Sequence, residues 1–93
     1  MTGFKGNQGV WSVNEELDVV CAGKYVALIS LHDGESTRRA NAKLIAAAPE
    51  LLEALQEMVA IVKKHTYPQP DKPSSTWGRM EAAEAVIARA LGQ

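Results

Sequence analysis

The residues best suited to chemistry lie in the run Gly34-Glu35-Ser36-Thr37-Arg38-Arg39. If a helix begins here, its first backbone N–H groups lack partners within the helix and carry a partial positive charge. Two hydroxyls and two guanidiniums beside such an end make a donor set that can hold a phosphate or a carboxylate. Ser36, Thr37, Arg38 and Arg39 are therefore the candidate ligand-binding residues, and a cyclic nucleotide signal is the ligand class they would fit. The plainer reading, a capped helix start with two solvated arginines, is favoured over it. A second set comprises Trp11, Trp77 and Arg79, residue types that commonly anchor protein interfaces. Against that stands the simpler role of two tryptophans closing the ends of a small core.

Other chemistries find no footing. His32 and His65 are isolated, and with the single Cys21 they do not make a zinc set. Gly3, Gly6 and Gly9 are evenly spaced, but no strand precedes them, so they are not a dinucleotide-binding turn. Glu50, Glu53 and Glu57 run along one side of a predicted helix, the usual pattern of a solvated face. No nucleophile, base and orienting group can be nominated together, so the expectation is a protein without catalytic residues, metal or cofactor.

The totals narrow the partners. A chain of 93 residues is near the lower size limit for a self-sufficient domain, and aromatic residues supply only 5% of it. Its core must be built from Ala, Leu, Val and Ile, and a thin core of that kind favours homo-oligomerisation. Ten basic and eleven acidic residues give a net charge of −1. Duplex-DNA binders usually carry a basic surplus, because phosphate neutralisation supplies much of their affinity. A nucleic-acid partner is accordingly not expected. One cysteine precludes an internal disulfide and suits a reducing compartment. No apolar run opens the chain and none approaches the ~18 residues of a membrane span, which leads to a cytoplasmic expectation with no membrane partner.

These candidates need elements to position them. Residues 1–9 read as a loose arm. Val10–Val13, Leu17–Cys21 and Lys24–Leu31 read as three strands of an antiparallel β-meander over 10–31, with Ala22-Gly23 as a two-residue hairpin turn. The third strand is apolar on both faces, so it is expected to be central or covered on both sides. Ser36 or Thr37 is the predicted N-cap of a helix over 36–64. In that helix Leu44, Leu51 and Met58 recur every seven residues, and neighbouring apolar rows widen the arc to about 160° at 100° per residue. Pro49 falls on the polar side. Either one helix bends there with its proline towards solvent, or a second helix starts with Pro49 at its first position and Glu50 facing the positive helix end. The uninterrupted apolar phase favours the single bent helix. Residues 65–75 hold three of the four prolines and form a loop. Ser74, Ser75 or Thr76 caps a last helix over 76–91, with an apolar stripe of Met80, Ala83, Val86, Ile87, Ala90 and Leu91, and Gly92 ends it. The expected architecture is α+β, a single domain over 10–92. It has a three-stranded antiparallel meander, a long Pro-bent helix and a second, antiparallel helix.

The stretch Asn-Ala-Lys-Leu-Ile-Ala-Ala-Ala-Pro-Glu-Leu-Leu-Glu-Ala-Leu over residues 41–55 resembles a box shared by many small proteins of tailed phages and prophages. In them a short β-rich part, often with a Trp, precedes the box and a second helix follows, a likeness that covers roughly residues 10–92 here. The box is structural and brings no catalytic residues; the Gly-rich arm and the Pro-rich loop find no match in it. The resemblance implies a phage accessory protein in the bacterial cytoplasm. Proteins of that kind often oppose host defence, by gripping a host protein or by sequestering a nucleotide signal. A contact-making binding protein is thus the first expectation. A binder of a small nucleotide signal is the second, and a regulatory nucleic-acid-associated protein the third.

Overall fold

A computed structural model of the chain describes residues 3–69, 72 and 74–93. The N-terminal residues of the expected arm and part of the expected Pro-rich loop lie outside the described residues. Six elements follow one another: β1 (Trp11–Val13), β2 (Val19–Cys21), β3 (Lys24–Ala27), α1 (Glu35–Ala46), α2 (Ala48–Lys64) and α3 (Thr76–Ala90). A three-stranded antiparallel sheet precedes three helices, and the fold class is α+β. Backbone contacts divide the chain into two compact units, Lys5–Glu50 and Met1–Phe4 with Leu51–Gln93.

In the first unit the strand order is β1-β2-β3, so β2 is central. Trp11 pairs with Cys21 and Val13 with Val19, while Cys21 pairs with Lys24 across the turn. Ala22 and Gly23 form that turn with φ of 51° and 80°. Positive φ at both positions is the type I′ geometry, whose twist matches that of the strands. Alanine adopts it at a steric cost that Gly23 does not bear. Between Val19 and Val20 the register with β3 shifts, because Val19 meets Ala27 and Val20 meets Tyr25, leaving Val26 as a bulge. Val19 and Cys21 are buried on the same side of β2, and Ala42 of α1 is buried as well. α1 packs on β1 and β2, and the absent bulk at Ala42 lets the helix come close.

The expectation for the third strand is corrected. β3 is an edge strand that ends at Ala27, and Leu28–Leu31 leave the sheet. The N–H of Ile29, which a longer strand would offer to its neighbour, donates instead to the Asp18 carboxylate at 2.9 Å. The expected cap is corrected too. α1 starts at Glu35 with Gly34 as its N-cap and no side-chain cap bond, so Ser36 and Thr37 lie in the first turn. Glu35 there complements the helix dipole.

The long bent helix over 36–64 is likewise replaced by two helices. Ala47 separates them with φ −84° and ψ −6°, at the margin of helical space. Its N–H still reaches the Lys43 carbonyl at 3.1 Å. Pro49 has no N–H to offer Ile45, and its ring disfavours a helical path immediately before it. The ladder therefore lapses for one residue and restarts with Pro49 second in α2 and Glu50 in its first turn. Pro49 is half-buried and does not lie on the solvent side.

In the second unit, Leu55, Val59 and Val62 of α2 line a groove with Met80 and Ala83 of α3. Met80 is buried there, and Lys63 pairs with Glu84 at 3.2 Å. Ser75 caps α3, its Oγ accepting from Gly78 N–H at 3.1 Å. At the other end Gly92, with φ 78°, donates to Arg89 and Gln93 donates to Ala88, the six-to-one and five-to-two pattern of a Schellman stop.

The turn geometry makes a direct prediction. Ala22→Asn, which tolerates the left-handed region, stabilises the first unit by about 1 kcal/mol. A urea titration followed by Trp11 fluorescence in a Trp77→Phe background reads this as a raised midpoint.

Candidate functional site

The segment between β1 and β2 is a knot of local hydrogen bonds. The Asn14 side-chain oxygen accepts from the N–H groups of Glu16 and Asp18, both at 3.0 Å. The Asn14 N–H donates to the Asp18 carbonyl at 3.0 Å, and Leu17 N–H donates to the Asn14 carbonyl at 3.1 Å. An asparagine that satisfies two downstream amides in this way fixes a turn without help from a sheet. Leu17 is held at φ 66° and is buried. Such a conformation costs a bulky residue roughly 1–3 kcal/mol, and burial of a leucine side chain returns about as much.

This turn faces the chain that leaves β3 and the first turns of α1. Together they enclose an open groove of about 520 Å³. Leu17, Leu28, Ile29 and Leu31 supply its apolar wall, while Glu15, Glu16, Asp18, Glu35 and Arg38 supply the polar one. Leu28 and Leu31 are 74% and 80% exposed, an unusual placement for two large apolar side chains three residues apart. Four carboxylates against one guanidinium make the groove acidic.

The four residues of the Ser36–Arg39 set do not converge. Ser36 and Thr37 are exposed in the first turn of α1. Arg39 reaches back along its own helix to Glu35 at 3.1 Å, an exposed i,i+4 pair of small energetic weight. Arg38 turns the other way, and its Nη2 donates to the Glu16 carbonyl at 3.1 Å, tying α1 to the Asn14 turn. Its Nε is buried without a hydrogen-bond partner. Two adjacent residues on a helix point about 100° apart, so one arginine lines the groove and the other does not.

The tryptophans fall in different units and are both half-buried. Trp11 Nε1 donates to the Asn7 carbonyl at 3.0 Å, and Cys21 Sγ donates to the Gln8 carbonyl at 3.2 Å, so residues 7–8 lie along the end of the β1–β2 pair. Trp77 opens α3, and Arg79 is exposed beside the α2–α3 groove. Residue-type reasoning did not single out Asn14, Leu17, Asp18, Leu28 or Leu31. The Asn14-to-Asp18 spacing was the available signal for the first three.

The two arginines are predicted to behave differently. Arg38→Ala removes a charge-assisted bond between α1 and the Asn14 turn and lowers the stability of the first unit by about 1 kcal/mol. Arg39→Ala changes it by less than about 0.5 kcal/mol. Parallel thermal melts by circular dichroism distinguish the two, and equal effects would contradict the geometry.

Among the described residues no helix is long and apolar enough to cross a membrane, and no three metal-ligating side chains come together. No curated protein and no solved structure matches the chain. The family described as Salmonella phage P22 protein Y8K6 matches it over residues 1–93, its whole length. A small α+β protein with an acidic, apolar-walled groove and this match belongs to that phage protein family.

Proposed function

We propose that this is a non-enzymatic phage accessory protein of the bacterial cytoplasm that acts by gripping a host protein, in the manner of a counter-defence factor. The observation that carries the reading is the exposed pair Leu28 and Leu31 beside Glu15, Glu16 and Glu35. Large apolar side chains held in solvent by a hydrogen-bonded frame mark contact surfaces. Their acidic rim selects a partner segment that carries basic and apolar residues together. The Asn41–Leu55 box, on this view, is a structural mark of the family and contributes no residue to the groove.

The test is capture from a bacterial host lysate by the tagged protein, with mass spectrometry of what is retained. A host protein retained by wild type and lost by both Leu28→Asp/Leu31→Asp and Glu15→Lys/Glu16→Lys is the expected result. Release by salt is expected as well, because the rim charges are exposed. Equal retention by wild type and both variants would sink the proposal.

A second reading keeps the groove and changes its occupant. The Arg38 guanidinium lines the groove and offers a charge-assisted donor to an oxygen of a small nucleotide signal. The surrounding carboxylates oppose a polyanion, which is why this reading ranks second. A nucleic-acid-associated role ranks below both for the same reason. A thermal-shift screen against cyclic nucleotides decides the second reading: stabilisation of wild type that disappears in Arg38→Ala supports it, and stabilisation retained in Arg38→Ala removes it.

A further inference from the structure

α2 carries two apolar stripes side by side. Leu52, Leu55, Val59 and Val62 are half-buried, and most of them line the groove shared with α3. The second stripe, Leu51, Ala54, Met58 and Ile61, lies next to it, and Met58 also borders the groove. Leu51, Met58 and Ile61 are 54%, 56% and 52% exposed, and Ala54 is exposed as well. No residue of α2 is buried. The spacing of the second stripe is three, four, three, which is the seam of a two-stranded coiled coil.

The geometry points to an antiparallel pairing of α2 with α2 of a second copy of this chain. A three-four-three spacing reads the same in both directions, so the stripe is complementary to itself under a two-fold axis. Antiparallel alignment sets Leu51 against Ile61 of the second copy and Ala54 against Met58 of the second copy. Each alanine then faces a large side chain, and the layers interdigitate. Parallel alignment in register would set Ala54 against Ala54 and Met58 against Met58, one hollow layer beside one crowded layer.

Charge selects the same direction. Glu50, Glu57 and Lys64 recur every seven residues along one edge of the stripe, and none of them has an ion pair among the described residues. In the antiparallel pair Glu50 lies beside Lys64 of the second copy, and the symmetry makes this contact twice. Glu57 meets its own copy near the axis, a like-charge contact at an exposed rim. In a parallel pair this edge would instead face Leu55 and Val62, and the charges would find no match. The stripe shares no residue with the Leu28–Leu31 groove, so failure of host capture and failure of dimerisation are read on different variants.

Light scattering behind size exclusion, with sedimentation velocity across a concentration series, tests the pairing on the full chain. Wild type is expected to be a dimer that dissociates on dilution, and Ile61→Asp, at a stripe position outside the α2–α3 groove, a monomer. Lys64→Glu, at an exposed position in the last turn of α2, weakens the dimer roughly tenfold. Glu50→Lys combined with Lys64→Glu restores it, because the exchanged charges match again. A wild-type monomer at all concentrations overturns the inference and leaves the stripe to another partner. A dimer indifferent to Ile61→Asp overturns it as well. Failure of the double exchange to restore association overturns the antiparallel register.

Discussion

The hydrogen bond from Ile29 N–H to the Asp18 carboxylate sets the form of the first unit. A strand that continued from Ala27 would pair with residues before Val19, and the Asn14 turn occupies that place. Asp18 uses its backbone to close the turn and its side chain to take the amide that the strand would have used. The sheet therefore stops after four residues of β3, and the next four are released towards α1. Leu28 and Leu31 become exposed as a consequence. The groove exists because a side chain near the sequence-distant turn outcompeted a strand partner for one N–H. Neutral-to-charged hydrogen bonds are roughly twice as strong as neutral ones, which favours that outcome at an edge with little else to bury.

Burial is the second constraint. Leu17, Val19, Cys21, Ala42 and Met80 are the buried apolar residues among those described. A short chain divided into two compact units has less interior than an undivided one, since buried fraction falls with size. Each unit answers with local devices instead of mass. The first has a type I′ hairpin, an Asx-pinned turn and the Arg38 bond to Glu16. The second has the Ser75 cap, the Gly92 stop and the Lys63–Glu84 pair. Such contacts contribute about 1 kcal/mol each, so they refine a fold that still leaves apolar surface in water.

How far residue order discloses this depends on whether the deciding contact is local. The strands around Ala22-Gly23, the cap at Ser75 and the stop at Gly92 are set by neighbours within four residues, and all are legible as patterns. The end of β3 is not, because Lys24–Leu31 has strand-like composition throughout and Asp18 lies eleven residues from Ile29. The division at Ala47 was open to either reading. The apolar phase runs unbroken through Pro49, and periodicity carries no record of a missing N–H. The Ser36–Arg39 set illustrates the converse. Composition placed four suitable donors together, whereas helical geometry sends Arg38 and Arg39 to different neighbours.

The break at Ala47 also bears on what the helices can do. A continuous helix over 36–64 would have committed Leu44, Leu51 and Met58 to one stripe. The two compact units divide between Glu50 and Leu51, early in α2, so Leu44 and Leu51 fall in different ones. Each unit then keeps its own exposed apolar residues: Leu28, Leu31 and Leu44 in one, Leu51, Met58 and Ile61 in the other. In the first set, Leu28 and Leu31 stand beside carboxylates contributed by a turn and a helix start. The second stands on a single helix whose edge charges repeat with the heptad. Surfaces with different charge patterns select different partners, because an unmatched charge costs more at a contact than an apolar mismatch. One proline in a small chain thus divides an unbroken apolar phase between two helices.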